Sequence, residues 1–271
     1  QVVQLLGVCG VIASYADDYA PFVPTLRIAG FAARRQEALP GWTGFANAAK
    51  GGGREAIRQK PHITLNNKDP KNKTMLLKDK LEPYRLLLAS QSPRRRELMT
   101  GCGLPYEPAP KYECEEIYPD SLPAEEVPLF LSRLKSEAYP APLGANDILL
   151  TADTVVISDG EVLGKPCDRG QAAQMLRRLS GRRHTVVSGV TLRTAGRMHT
   201  FSAESGVWFR PLSEEEIGYY LDTFAPYDKA GSYGIQEWIG YAAIEKINGS
   251  FYNVMGLPIQ KVYVELEKFL Q

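Results

Sequence analysis

The chain lacks the features that mark several large classes of protein. Its four cysteines, Cys9, Cys102, Cys114 and Cys167, form no Cys-x-x-Cys pair and share no ligand spacing with histidine, which excludes a disulfide framework and a structural zinc site. Thiols used this way fit a reducing cytosol, so a cytoplasmic protein is expected. No apolar run reaches the ~20 residues that a transmembrane helix needs, and no membrane partner is expected. The apolar opening at residues 2–16 has neither a basic flank nor an initiating methionine, and reads as a buried strand rather than a signal peptide. A surplus of one charge is missing too. Lys and Arg number 32 against 31 Asp and Glu, a net charge of +1, which leaves no broad basic field for nucleic acid. Without an internal repeat there is no stacked interaction array. What remains is a globular chain of 271 residues, 44% hydrophobic and 23% charged, long enough for one large domain or one domain and a smaller piece.

The stretch at residues 86–98 organises the rest. Leu86, Leu87 and Leu88 make a short buried strand that breaks at Ser90, and Ser92 followed by Pro93 reads as an N-cap with proline in the first helical turn. Arg94 and Arg95 stand in that first turn, where they oppose the helix dipole, so local helix stability does not call for them. Unpaired backbone N–H groups, the hydroxyls of Ser90 and Ser92 and two guanidiniums could converge there on a polyphosphate. The same pattern also suits an ordinary surface helix with solvated arginines.

Residues 147–158 form a near-continuous β-branched and apolar run, the pattern of a strand covered on both faces. Asp153 stands in its middle. A carboxylate there is costly unless it is paired, hydrogen-bonded or bound to a metal, which favours a functional role. Asp159 and Gly160 turn the chain into a returning strand that ends at Leu163, Gly164, Lys165 and Pro166, bringing Lys165 toward the same region.

Between these two stretches, Gly101 and Gly103 stop the first helix, and Glu113, Glu115 and Glu116 sit in an acidic loop before Pro119. Residues 123–139 give an apolar helical stripe of Val127, Phe130, Leu131, Leu134 and Ala138, with Lys135 beside it, a position where a lysine is usually solvated. Further on, Asp168 caps a helix to Ser180, and residues 184–194 and 197–210 pair as antiparallel strands about Ala195 and Gly196. Ser213 opens a capping box, and the glycines and aromatics of residues 227–236 suit a loop that closes over a ligand or a tight connection. Asn248 and Gly249 turn the chain again, and Pro258 starts a last helix with Val262, Leu266 and Phe269 inward. His184 and His199 are isolated and read as structural or surface groups.

Taken together, the motifs Leu-Ala-Ser90-x-Ser92-Pro93-Arg94-Arg95, Ala152-Asp153-Thr154-Val155-Val156, Gly164-Lys165-Pro166, Ser180-Gly181-Arg182-x-His184 with Ser188-Gly189-Val190, and Lys229-Ala230-Gly231-x-Tyr233-Gly234-Ile235-Gln236 resemble those of the Maf-family nucleoside triphosphate pyrophosphatases, in order, from about Tyr84 to Leu270. The resemblance implies an α/β fold, a long mixed twisted sheet with helices on both faces and a cleft between two lobes, shared with inosine triphosphate pyrophosphatases. It implies hydrolysis of a nucleoside triphosphate between the α and β phosphates, with a divalent cation, Mg²⁺ or Mn²⁺, as cofactor and often a homodimer. Carried over by position, Asp153 is the general base or metal-bound carboxylate, and Glu116 the second acidic position, with Glu115 close enough to compete for it. Ser90, Ser92, Arg94, Arg95, Lys135 and Lys165 match phosphate-binding positions. Arg94, Thr154 and Gln236 match the branch that takes dTTP and UTP, and a glutamine amide offers both donor and acceptor to a pyrimidine edge. Glu237 and Trp238 depart from the small residues common after that glutamine.

Upstream, Asp17 and Asp18 followed by residues 50–58 faintly resemble the C-terminal end of haloacid-dehalogenase-type sugar-acid phosphatases, the 3-deoxy-manno-octulosonate 8-phosphate phosphatases, without that superfamily's nucleophilic Asp-x-Asp. Residues 62–79 are polar and lysine-rich and read as a linker. The expected division is a non-catalytic appendage and linker at 1–74 and a pyrophosphatase domain at 75–271. A competing reading makes the chain a non-catalytic nucleotide-binding regulator of cell division.

Overall fold

A computed structural model of the protein describes residues 75–271. The strand expected at 2–16, Asp17, Asp18, Cys9, the 50–58 segment and the linker up to residue 74 lie outside the described residues. In chain order the strands are β1 (Arg85–Leu88), β2 (Glu107–Pro108), β3 (Asp147–Ser158), β4 (Glu161–Leu163), β5 (Arg183–Arg193), β6 (Met198–Phe209) and β7 (Ile244–Asn248). The helices are α1 (Leu77–Lys80), α2 (Pro93–Gly101), α3 (Val127–Glu137), α4 (Arg169–Leu179), α5 (Glu214–Phe224), α6 (Trp238–Ala242), α7 (Phe251–Met255) and α8 (Ile259–Phe269), with a 3₁₀ turn at Ala230–Ser232.

β3 is the axis of the sheet because its sequence leaves neither face free: every residue but Thr154 is buried. The strand order is β2-β1-β3-β5-β6-β7, with β4 also against β3. β1 runs parallel to β2 and β3, and all other pairs are antiparallel. On one edge β3 pairs continuously with β5 from Leu149 to Ile157. On the other edge β1 covers it only as far as Leu150 and β4 takes up pairing only at Val156. Among the described residues, Thr151 to Val155 therefore have no partner strand on that side, and the expected α/β fold, a mixed sheet with helices on both faces, opens a cleft at that gap.

Side chains alternate across the sheet. Val155, Ile157 and Val187 pack with Val127 and Leu131 of α3 on one face, while Ala152, Val156, Val186 and Val190 join Leu176, Val262 and Leu266 on the other. Val262, Leu266 and Phe269 point inward from α8 as expected. The α3 stripe does not follow its apolar residues. The helix begins at Val127, residues 123–126 form turns, and Phe130 and Ala138 are exposed while Ser132 and Ser136 are fully buried. The reason is distance: a Cβ on Gly189 of β5 would lie 2.2 Å from the carbonyl oxygen of Pro128. The helix approaches so closely that small residues face the sheet, and Ser132 meets Thr191 at 3.0 Å. Residues 77–79, expected as the end of the linker at 62–79, belong instead to the helical turn α1, because Leu77 and the C-capping Leu81 fall on one side and are both buried in the main core.

Caps fix the outer helices. Asp168 accepts the Gln171 N–H at 2.8 Å, and Ser213 and Glu216 form the reciprocal box at the start of α5. His184 is the structural histidine expected. Its Nε2 lies 2.7 Å from the Tyr233 hydroxyl, its ring meets Phe209 and Tyr233 edge-on, and burial, helped by Arg183, pushes its pKa down to about 3.

Gly189→Ala tests the close packing of α3. The added methyl would run into the Pro128–Leu129 peptide of α3, so unfolding free energy should fall by about 1–3 kcal/mol, the usual range for overpacking. Urea denaturation reads the change, and an unaltered midpoint would show that the helix can retreat at no cost.

Candidate active site

The unpaired edge of β3 leaves a backbone acceptor in need of a donor, and Arg95 supplies it. Its Nη1 donates to the Ala152 carbonyl at 2.8 Å, its Nε to the Gly256 carbonyl at 2.7 Å and its Nη2 to Thr154 Oγ1 at 3.1 Å, with a longer bond from Nη1 to Ser90 Oγ. The guanidinium thus takes the place of a missing strand and ties α2 to β3 and the end of α7. Burial is the main cause that lowers its pKa from the usual arginine value, while Asp153 and Glu116 pull it back up. The position expected to hold phosphate is largely occupied in holding the protein.

Thr154 belongs to the same knot. Its hydroxyl contacts Ser188 Oγ at 2.8 Å and the Gly256 carbonyl at 3.1 Å besides Arg95. Ser90 Oγ accepts the Ser92 N–H at 3.3 Å. Ser92 occupies the N-cap position of α2 as expected, but its side chain makes no capping hydrogen bond. That hydroxyl and the first-turn N–H groups of α2 remain available beside the cleft.

Asp153 points to the opposite face of β3, toward α3. Its Oδ1 accepts from Lys135 Nζ at 2.6 Å, and the same ammonium lies 3.0 Å from Glu116 Oε2. Lys135 is therefore not the solvated lysine its stripe implied: its side chain is only 16% exposed and holds two carboxylates. Of the two acidic candidates, Glu116 reaches the lysine and lines the cleft, while Glu115 does neither. The Tyr112 hydroxyl, its pKa pushed up to about 12 chiefly by burial, donates to the Lys135 carbonyl at 2.6 Å and fixes this turn of α3.

The cleft has a volume of about 700 Å³, and Ser90, Ser92, Arg94, Arg95, Glu116, Lys135, Asp153, Thr154, Lys165 and Gln236 all line it. Apart from Glu115, the site candidates from the Maf resemblance are thus brought to one cavity. Lys165 is an exposed part of the cleft lining and forms no ion pair among the described residues. Gln236 presents a buried Oε1 without a hydrogen-bond partner among the described residues. Arg94 pairs with Asp228 at 2.8 Å. Burial resists ionisation of Asp228, but hydrogen bonds from Lys229 and Arg94 outweigh it and bring its pKa below the usual carboxylate value.

Sequence reasoning missed Lys229, Asp228, Glu237 and Tyr220. Lys229 is 8% exposed and pairs with Asp228 at 2.6 Å and Glu237 at 3.0 Å. Its motif was legible, but an ammonium buried between two carboxylates from a loop has no periodicity to announce it. As to metals, the described residues contain no group of three or more His, Cys, Asp or Glu side chains able to enclose an ion. Glu116 and Asp153 do converge on one cation, and two carboxylates suit Mg²⁺ or Mn²⁺, which take the rest of their shell from waters and substrate phosphates.

The Maf-like protein pattern matches residues 85–269, and the chain belongs to this family. It is 54% identical over 193 residues to a dTTP/UTP pyrophosphatase of Porphyromonas gingivalis, a match that covers 70% of this chain and 97% of that protein. A dTTP/UTP pyrophosphatase of Bacteroides fragilis is 51% identical over 188 residues, 69% of this chain and 97% of that protein. Among solved structures, a HAM1 protein from Coxiella burnetii matches 68% of this chain and 99% of its own at 14% identity, with a TM-score of 0.38.

Arg95→Ala should act first on the fold. It strands the Ala152 and Gly256 carbonyls, and about 2–4 kcal/mol of stability should go with them, while Arg95→Lys restores little because one ammonium cannot replace the fork. Arg94→Ala should leave the melting temperature within a few degrees. Thermal melts of the three variants decide this, and a fully stable Arg95→Ala would return that residue to the phosphate site.

Proposed function

We propose that the chain hydrolyses dTTP and UTP between the α and β phosphates, releasing the nucleoside monophosphate and pyrophosphate. The observation that carries this is the pairing of Asp153 with Lys135 beside the open edge of β3, in one cleft with the serine and arginine turn that opens α2. The relatives' names supply the substrates, and Gln236 on the cleft lining suits them. Uracil and thymine carry an N–H at N3 beside two carbonyls, which a glutamine amide can meet with acceptor and donor together.

In this reading the triphosphate lies against Ser92, the N–H groups of α2, Arg94 and Lys165. Arg94 and Lys165 meet charge that gathers on the departing pyrophosphate. Asp153 Oδ2, which receives no hydrogen bond from the described residues, takes a proton from the attacking water, whose hydroxyl goes to the phosphoryl group as the anhydride oxygen leaves. Lys135 holds the carboxylate through Oδ1 and so fixes where Oδ2 points. Asp153 and Glu116 would hold a divalent cation, which supplies Lewis-acid stabilisation of the phosphate oxygens. Catalysis resides in residues 75–271, with 1–74 dispensable, and a cytosolic homodimer completes the proposal. Free Cys102, Cys114 and Cys167 suit such a compartment.

Product analysis tests the bond. With Mg²⁺ or Mn²⁺, UTP should yield UMP and pyrophosphate, whereas UDP with orthophosphate would refute the assignment, and binding without turnover would favour the regulator reading. Asp153→Asn should lower turnover by at least about a hundredfold with little change in nucleotide affinity, the usual scale of a general-base contribution. Near-normal turnover would move the proton transfer to Glu116.

A chain starting at Met75 tests the division. It should keep activity within about tenfold of the full chain, equivalent to roughly 1.4 kcal/mol of transition-state stabilisation. A folded but inactive truncation would give residues 1–74 a part in the site.

A further inference from the structure

Arg94 and Arg95 are neighbours in the first turn of α2 but are held in different ways. Arg95 is bonded to three fixed acceptors, whereas the Arg94 side chain makes one ion pair, from Nη1 to Asp228 Oδ2 at 2.8 Å, and no other hydrogen bond among the described residues. Its partner stands in the loop that follows α5, and both residues line the cleft. Two segments of the cleft lining are therefore joined here through side chains alone. Asp228 has no place in the chemistry above, yet it holds a charge that the triphosphate needs.

Backbone rather than that ion pair places Asp228. The Lys229 N–H donates to the Pro226 carbonyl at 3.2 Å, the Ser232 N–H to the Lys229 carbonyl at 3.1 Å and the Gly231 N–H to the Gly164 carbonyl at 3.1 Å. Asp228 Oδ1 lies 2.6 Å from Lys229 Nζ, and the same ammonium lies 3.0 Å from Glu237 Oε1. One lysine thus has two carboxylates of different kinds. Glu237 is only 17% exposed and accepts from the Tyr220 hydroxyl, whereas the Asp228 side chain is 57% exposed. If Asp228 lets go of Arg94, it keeps Lys229 and gains water, and Lys229 keeps Glu237. Only Arg94 loses its partner, and an anion arriving there replaces it. The exchange leaves no buried charge uncompensated, which keeps its cost low. Burial works against ionisation of Asp228, but Lys229 and Arg94 outweigh it, so the group being exchanged is a full negative charge at neutral pH.

We infer that Asp228 is a built-in competitor for the phosphate site, which holds Arg94 in the absence of phosphate, yields it to the β and γ phosphates and takes it back as pyrophosphate leaves. The inference rests on the proposal that Arg94 meets the departing pyrophosphate. Its consequence is a shorter stay for the more highly charged product, in a step that limits turnover in many enzymes. UMP carries only the former α phosphate, does not reach Arg94 in this reading, and is indifferent to Asp228.

Titration calorimetry of the full chain with inorganic pyrophosphate and Mg²⁺ is the test. Asp228→Asn keeps the shape and removes the charge, and should tighten pyrophosphate binding by about fivefold, the scale of one exposed ion pair, with UMP affinity unchanged. Asp228→Ser takes its place if the asparagine variant does not fold. Glu113→Gln is the control. Glu113 also lines the cleft, but its ion-pair contact is Lys111 at 3.9 Å, and removal of so exposed and screened a charge should change pyrophosphate affinity by less than about twofold. In an Arg94→Ala background Asp228→Asn should lose most of its effect, because two members of one ion pair do not act additively. Unchanged or weaker pyrophosphate binding by Asp228 variants with native melting curves overturns the inference. An equal gain for UMP, in Glu113→Gln or in the Arg94→Ala background overturns it as well. Pyrophosphate that fails to bind, or binds the unmodified chain and Arg94→Ala equally, removes Arg94 from the phosphates and the inference with it. Failure of the unmodified chain to split UTP into UMP and pyrophosphate overturns the proposed function instead and leaves the binding results standing.

Discussion

Everything in the candidate site follows from one unfinished edge. β3 is fully paired with β5 but loses β1 after Leu150 and gains β4 only at Val156, so a stretch of backbone in the middle of a buried strand has to find hydrogen bonds elsewhere. Water alone could satisfy it in an open groove. Instead Arg95 reaches in from α2, and by bonding Ala152, Thr154 and Gly256 it joins three of the segments that line the cleft. A gap that would weaken an ordinary sheet becomes a cavity with a defined shape, at the carboxyl end of β1, where α/β folds commonly bind ligands.

The charges around that cavity are arranged in pairs. Lys135 is matched by Asp153 and Glu116, Lys229 by Asp228 and Glu237, and Arg94 by Asp228. Buried ions left alone would cost several kcal/mol each, so the pairing is what lets an apolar sheet carry them. It also explains how a chain of net charge +1 can present a polyphosphate site: the positive groups are concentrated, and their local counter-ions are carboxylates that a triphosphate can outcompete for exposed partners such as Arg94. Lys165, without an ion pair among the described residues, is the member of the set whose charge is uncommitted.

The sequence disclosed what depends on local pattern. A continuous β-branched run with one aspartate located both the central strand and Asp153, and the Ser-Pro turn located α2, because burial on two faces and helix starts leave marks within a few residues. The caps at Asp168 and Ser213 were legible for the same reason. Contacts made at long range were not. Lys135 looked solvated because the two carboxylates it holds come from a loop and a strand, and Phe130 looked buried because nothing local reveals that Gly189 draws α3 against the sheet until only serines fit. Arg95 was read by its charge, whereas its position opposite a strand gap, visible only in the assembled sheet, turns most of its donors inward.

Alternation along β3 has a further effect on how the site is organised. Asp153 and Thr154 are neighbours in sequence but face opposite sides of the sheet, so the carboxylate works against α3 while the hydroxyl is locked with Arg95, Ser188 and Gly256 on the other side. The ion pair at Asp153 and the knot around Thr154 thus belong to different packing layers joined by one strand. A change in α3 can therefore disturb the ion pair without reaching the Thr154 knot directly. The chain keeps the two sides in register because Arg95 bonds the backbone of Ala152 and the side chain of Thr154 at once.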